Sequence, residues 1–512
     1  MGTHGSPLRG LMSTSRSQTF EGRFGRMFRS LHPARFGATD SDAELNLKAL
    51  GNAMKGGDDP PKDGPDGEES GIPALYTYLG QFIDHDITFD PNSSLQKAND
   101  PDGLVDFRTP AFDLDNVYGR GPNDQPYMYT SGGKFLLGSP ITGGGDPNAV
   151  DLARNDANPQ RALIGDPRND ENLIVSQLQG LFLRFHNRLL ADNPGMPFIE
   201  AQQQMRFHYQ YVVLNDFLPR VVTGEVIDAL KDGDGLYDEH SLQFYHFRKS
   251  PFMPVEFSVA AYRLGHSMVR PGYRLNDANL LPIFALDPNP DLRGFKAMAP
   301  DRGIDWARFI DTEIRPYDGS NDPADLNRRL QFAYRLDTSL VEPLSKLPAS
   351  IASDPPPSLA QRNLIRAYYL QLPSGQAVAK AMHQPVLKDE EILIGQALDS
   401  FGPDDTPLKP VTAFGKVFKG NCPLWTYILA EAMHHTIKVD IPVTGQVQVS
   451  TPQLGPVGGR ILAEVFLGLM FGDPTSMLSV NPLWAPPSGA DYTLRDFVRY
   501  ATGQPAVMTA GA

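Results

Sequence analysis

The run Gly80-Gln81-Phe82-Ile83-Asp84-His85-Asp86 places one histidine between two acids, one helical turn after a glutamine. On an α-helix Gln81 and His85 stand at i and i+4 and share a face. Asp84 and Asp86 fall on opposite flanks of that stripe, so one can address a ligand in the cavity His85 borders while the other addresses something else. Taken alone, the run fits a hydrogen-bonded core histidine as readily as a chemical site. It does not fit a single ion held by residues 84–86 together, because successive residues of a helix point about 100° apart.

Working outward, residues 56–71 (GGDDPPKDGPDGEESG) combine Pro, Gly and acids without apolar periodicity, which predicts an exposed loop leading into a helix over 76–89. Ile174, Leu178, Leu181, Phe182, Phe185 and Leu189 recur at helical spacing within 172–191. Further helices fit 200–218, 255–269, 358–371, 424–437 and 460–471, the last stopped by Gly472 and Pro474. Strand signals are short, as at 447–450, so a large parallel sheet is not expected. The fold class predicted is mainly α: one large helical catalytic domain over residues 41–500, with long loops and little β structure. A flexible or loosely docked arm (1–40) precedes it and a short tail (501–512) follows.

The 512 residues carry 60 Asp and Glu against 46 Lys and Arg, an acidic balance that argues against nucleic acid and anionic membranes as partners. Cys422 is the sole cysteine, so no intrachain disulfide can form and packing, metals or a cofactor must hold the fold. No apolar run is long enough for a signal peptide or a membrane span. The cytoplasm is the expected compartment, with leaderless secretion as the alternative.

Four further stretches bear on the run at 80–86. Thr109-Pro110-Ala111-Phe112-Asp113-Leu114-Asp115 spaces hard oxygen donors along a loop, a pattern that suits Ca²⁺ or an ordinary Asp-rich turn. Arg168-Asn169-Asp170-Glu171 sets opposite charges at i and i+3, by itself most simply a surface ion pair. Tyr262-Arg263-Leu264-Gly265-His266 offers an imidazole beside a glycine, and Asn363-Leu364-Ile365-Arg366 offers an amide one helical turn before a cation. His186 lies in an amphipathic helix and reads as structural.

In this order, over roughly residues 75–370, the five stretches resemble those of the animal-type haem peroxidases, the peroxidase–cyclooxygenase superfamily, here a bacterial-like member without disulfides. The resemblance implies haem b and calcium as cofactors. His85 is then the distal acid–base catalyst, with Gln81 beside it in the distal pocket and Arg168 stabilising charge on the departing peroxide oxygen. His266 is the proximal iron ligand, Asn363 accepts a hydrogen bond from its ring, and Arg263 and Arg366 stand near the haem propionates. Asp84 and Glu171 occupy positions that form ester bonds to haem methyl groups in the family. The third link known in one branch needs methionine after the glutamate, and Asn172 stands there. Asp86, Thr109, Ala111, Asp113 and Asp115 form the implied calcium set, Asp115 replacing a common serine.

Within the superfamily, fatty-acid oxygenases carry a radical-forming tyrosine three residues before the proximal histidine; here that residue is Arg263. The reading is therefore an oxidoreductase with hydrogen peroxide as acceptor and a halide or small organic donor. The alternatives are a lipid dioxygenase of the same superfamily and a non-catalytic haem- or calcium-binding protein.

Overall fold

A computed structural model describes residues 22–89, 105–106, 108–248, 250–285, 289–320, 325, 328–352, 354–400 and 406–504. Helix dominates. The longer helices are α1 (Asp40–Ala53), α2 (Leu75–Ile87), α3 (Leu173–Asp192), α4 (Phe198–Val212), α5 (Leu359–Tyr369), α6 (Leu424–His434), α7 (Gly458–Gly472) and α8 (Leu494–Thr502). Among the described residues the β structure is confined to ribbons of two or three short strands, Thr436–Asp440 against Gln448–Pro452 being the longest pairing. No helix of the described residues is long and apolar enough to cross a membrane.

The helices lock through side chains that satisfy free backbone groups at their neighbours' ends. Glu431 of α6 accepts hydrogen bonds from the N–H groups of Val457 and Gly458 at the start of α7, an acid placed where a helix N-terminus leaves donors unpaired. On α7 every residue from 458 to 470 is buried. α2 and α3 meet through the Phe82 and Phe182 rings, stacked with centroids 4.2 Å apart.

Of the expected flexible or loosely docked arm, residues 22–40 are docked; residues 1–21 lie outside the described set. Gly22–Gly25 pairs with Val105–Asp106 and Met253–Pro254. Phe24, Phe28 and Phe36 enter the main core, and the buried Glu256 carboxylate accepts from the N–H of Met27 and Phe28. The loop at 56–71 is not exposed throughout: Glu69–Pro73 is a fully buried strand, and Glu69 binds Arg270 and Arg329. The helix expected over 200–218 widens into a π turn at Val213–Phe217, and 424–437 ends early because residues 436–440 enter the ribbon.

A further correction concerns 255–269. It is not one helix but a turn at Val255–Ser258 followed by a 3₁₀ segment, Ala261–His266, with the backbone at Ala260 thrown out of helical geometry (φ −130°, ψ −77°). In a 3₁₀ helix residues three apart eclipse, so Arg263 and His266 lie directly in line.

Candidate functional site

A cavity of about 470 Å³ runs between α2 and the 3₁₀ segment, within the usual range for ligand pockets. Gln81, Asp84, His85, Arg168, Glu171, Arg263, His266 and Arg366 all line it. Asn363 sits behind His266. Residues separated by up to 285 positions in the chain therefore converge on one space, whereas Asp86, Thr109, Ala111, Asp113 and Asp115 do not line it.

On the α2 side, His85 is 5% exposed and its Nδ1 lies 2.7 Å from Asn169 Oδ1. Because the Asn169 amide donates its Nδ2 to Gln179 Oε1 at 2.8 Å, its oxygen is the atom presented to the ring. The ring donates from Nδ1, and Nε2 keeps its lone pair. Burial, reinforced by the nearby Arg168 charge, lowers the His85 pKa to about 4, so the ring is neutral at pH 7. Nε2 is 3.5 Å from Glu171 Oε1. Gln81 donates to that same oxygen and accepts from Asn172. Burial pushes the Glu171 carboxyl up to about 7, with Arg168 opposing.

Arg168 is positioned by the end of α2. Its Nη2 donates to the carbonyls of His85 (3.0 Å) and Thr88 (2.7 Å), the acceptors a helix C-terminus leaves free, and its guanidinium stacks over Phe89 at 4.4 Å. Asp166 accepts from Nε and Nη2. Although burial alone would raise it, Arg168 and Arg108 hold the Asp166 carboxyl well below the usual range. Nη1 makes no hydrogen bond among the described residues and is the part of the cation left for a ligand.

On the opposite wall, Asn363 Nδ2 lies 2.8 Å from His266 Nδ1. Turning that amide over would bring its oxygen to the ring, so that Nδ1 donates and Nε2 is left as a lone-pair ligand. Burial and Arg263 together lower the His266 pKa to about 3. A Cβ added at Gly265 would meet no atom within 4 Å, so the segment leaves room beside the histidine for a flat macrocycle. Arg263 donates to Ser258 O and lies 3.9 Å from Asp84. Tyr262, also on the wall, donates its hydroxyl to Gly80 O.

Behind α2, ligand oxygens of Asp86, Asp113 and Asp115 lie within 4.8 Å of one another. Asp86 is fully buried and neither of its carboxylate oxygens has a hydrogen-bond partner. Such an orphan is costly without a cation, so the donor set fits a hard divalent ion. Thr109 and Ala111 lie in the same loop as Asp113. Asp115, the extra acid, is matched by buried Arg108, whose Nη1 donates to it at 2.9 Å while Nη2 donates to Asp166. The chain passes close here because residue 165 is glycine: a Cβ would stand 2.4 Å from Asp115 O.

Arg108, Asp166, Asn169 and Gln179 were not singled out from the sequence. Asp166-Pro167 carries a helix-start signal, an acid N-cap before proline, that could have marked the first pair's meeting point. Nothing local marks Asn169 or Gln179. His186, read as structural, is buried and bonded to the Tyr118 hydroxyl and Gly133 O.

The family model described as animal haem peroxidase matches residues 92–289. That span takes in the acidic loop, Arg168, Glu171 and His266 but begins after α2. Chorion peroxidase of Aedes aegypti is 28% identical over 199 residues, 33% of this chain and 25% of that protein. Thyroid peroxidase of Homo sapiens is 30% identical over 140 residues, 26% of this chain and 14% of that protein. The matches thus span a quarter or less of these relatives. Among solved structures, peroxidase A from Dictyostelium discoideum superposes with a TM-score of 0.57 at 16% identity, covering 90% of this chain and 89% of that one. A fatty acid alpha-dioxygenase of Arabidopsis thaliana gives 0.51 at 13%, covering 92% and 74%. At these identities the likeness establishes the fold.

Proposed function

We propose that this chain, whose residues 92–289 match the animal haem peroxidase family, binds haem b between His85 and His266 and uses it to reduce hydrogen peroxide at the expense of a halide or small organic donor. The observation that carries the reading is the pair of histidines lining one cavity, His85 buried and His266 partly exposed to it, each with Nδ1 against a side-chain amide.

His266 Nε2 is the iron ligand and Asn363 its positioning partner; Arg263 and Arg366 serve the propionates. When bound, haem would supply the iron at which peroxide coordinates and the two electrons that cleave the O–O bond, electrons that the donor later replaces. His85, neutral, takes a proton from the near oxygen of peroxide at Nε2 and returns it to the far oxygen, which leaves as water. Arg168 Nη1 meets the charge growing on that oxygen, a role worth about 2.7–4 kcal/mol for comparable donors. Gln81 borders the same space. Asp84 and Glu171 are the carboxyls from which ester bonds to haem methyl groups would form. Asp86, Thr109, Ala111, Asp113 and Asp115 hold calcium and fix α2 from behind.

The test is the absorption spectrum of purified protein before and after peroxide, followed by halide and phenol donors. A Soret band that changes with peroxide and recovers with donor is expected, and His85→Ala should slow the first change by about 10²-fold or more. No Soret band after haem-supplemented expression would overturn the reading. The dioxygenase alternative draws support from the likeness to fatty acid alpha-dioxygenases and from Tyr262 on the cavity wall. It requires oxygen uptake with long-chain fatty acids, whereas Arg263 holds the radical-tyrosine position and the Tyr262 hydroxyl is bonded to Gly80 O.

A further inference from the structure

We infer that Asn169 is the positioning residue of the distal base: anchored by Gln179, its amide oxygen holds His85 in the one tautomer and orientation that can accept a proton from peroxide. The inference rests on the peroxidase reading above. Asn169 sits on the 3₁₀ turn Pro167–Asp170, Gln179 lies on the second turn of α3, and both are fully buried. The two bonds, His85 Nδ1–H to Asn169 Oδ1 at 2.7 Å and Asn169 Nδ2–H to Gln179 Oε1 at 2.8 Å, join three elements into one rigid line.

The chemistry requires such a line. A neutral imidazole can carry its proton on either nitrogen, and the bond made by one decides the state of the other. If Nδ1 lost its acceptor, the proton could move to Nε2, where Glu171 Oε1 at 3.5 Å would receive it, and the base would be blocked. Asn169 also removes a rotational freedom: its bond to Nδ1 fixes the ring, and proton transfer demands placement to within hydrogen-bond reach. A neutral amide suits the place better than a carboxylate, because the ring must return the proton to the leaving oxygen and a charged partner would hold it. The charged and titratable groups that face His85 are Arg168 and Asp166 from the 168 turn, Asp84 from its own helix, and Glu171. None of them reaches Nδ1, whose acceptor among the described residues is the Asn169 oxygen.

The experiment uses haem-loaded protein and cyanide as probe, since hydrogen cyanide must give its proton to a distal base before the anion binds iron. Asn169→Leu, similar in size but without an acceptor, should slow both cyanide association and the peroxide-induced spectral change tenfold or more, with the KM for the donor unchanged. Asn169→Asp, which keeps an acceptor oxygen against Nδ1, should restore cyanide association. Gln179→Met, which frees the Asn169 amide to turn, should give an intermediate rate, and it supplies the test if the Leu variant fails to fold. Unchanged cyanide association in both Asn169→Leu and Gln179→Met, or an Asp variant as slow as Leu, would overturn the inference. If His85→Ala itself left cyanide association and peroxide reactivity untouched, the peroxidase reading would fail instead.

Discussion

Replacing Arg108 by methionine tests how the acidic loop is tied to the cavity. Arg108 is 1% exposed and joins Asp115 of the cation loop to Asp166, the carboxylate that holds Arg168. Removing one partner of a buried ion pair costs about 3–5 kcal/mol, since a charge is left buried and unpaired. Asp166 keeps Arg168, and Asp115 keeps the cation when calcium is bound, so the lower end, about 3 kcal/mol, is expected with calcium present. With the ion chelated, Asp86, Asp113 and Asp115 face one another with neither the cation nor Arg108 beside them, and the cost should approach about 5 kcal/mol. An unfolding entropy of about 2.1 cal/mol/K per residue over this chain is about 1.1 kcal/mol/K, which converts these to Tm losses of about 3 °C and about 5 °C relative to the native chain under the same condition. Calorimetry in calcium and in EGTA reads both. Equal shifts in the two buffers would refute the coupling, and no shift in either would refute the ion-pair argument altogether.

Three other outcomes are expected. Asn363→Leu should lower peroxidase turnover by about 10–100-fold, in line with the loss of a bond that orients a metal ligand, and shift the iron–imidazole stretching band; an unmoved band would place Asn363 outside the site. His208 is buried, its Nδ1 has no partner, and burial lowers its pKa to about 4. Between pH 6.5 and 4 the unfolded chain therefore binds a proton there that the folded one refuses, and stability falls as pH drops through that window. His208→Phe should reduce the slope of unfolding free energy against pH by up to about 1.4 kcal/mol per pH unit, as read by urea titrations at several pH values; an unchanged slope would contradict it. Phe28→Ala should cost about 3–5 kcal/mol by emptying a core position, measurable as a lower denaturant midpoint; a neutral effect would mean that residues 22–40 contribute little to the fold.

Local pattern made the helical scaffold legible. The apolar stripe of residues 173–192 and the run at 80–86 carry their periodicity within a few turns, and the order of five short motifs indicated which side chains belong together. The break at Ala260 was not legible, because the apolar spacing of 255–269 serves a 3₁₀ turn as well as an α-helix, and Trp425 bonding to Arg263 O comes from 162 residues away. The docking of residues 22–40 was hidden for the same reason: its strand pairing and its bonds to Glu256 are all long-range.

What the sequence determined by itself was the inventory and direction of groups on α2: Gln81 and His85 on one stripe, Asp84 and Asp86 on opposite flanks, a consequence of helical geometry alone. What only the tertiary structure decided was what each group meets. Asp84 opens on the cavity with His85, and Asp86 is buried against Asp113 and Asp115 without a hydrogen bond. The tautomer of His85 hangs on Asn169 and Gln179, residues whose types announce nothing, because a proton's place on an imidazole is set by whichever acceptor the fold brings within about 3 Å.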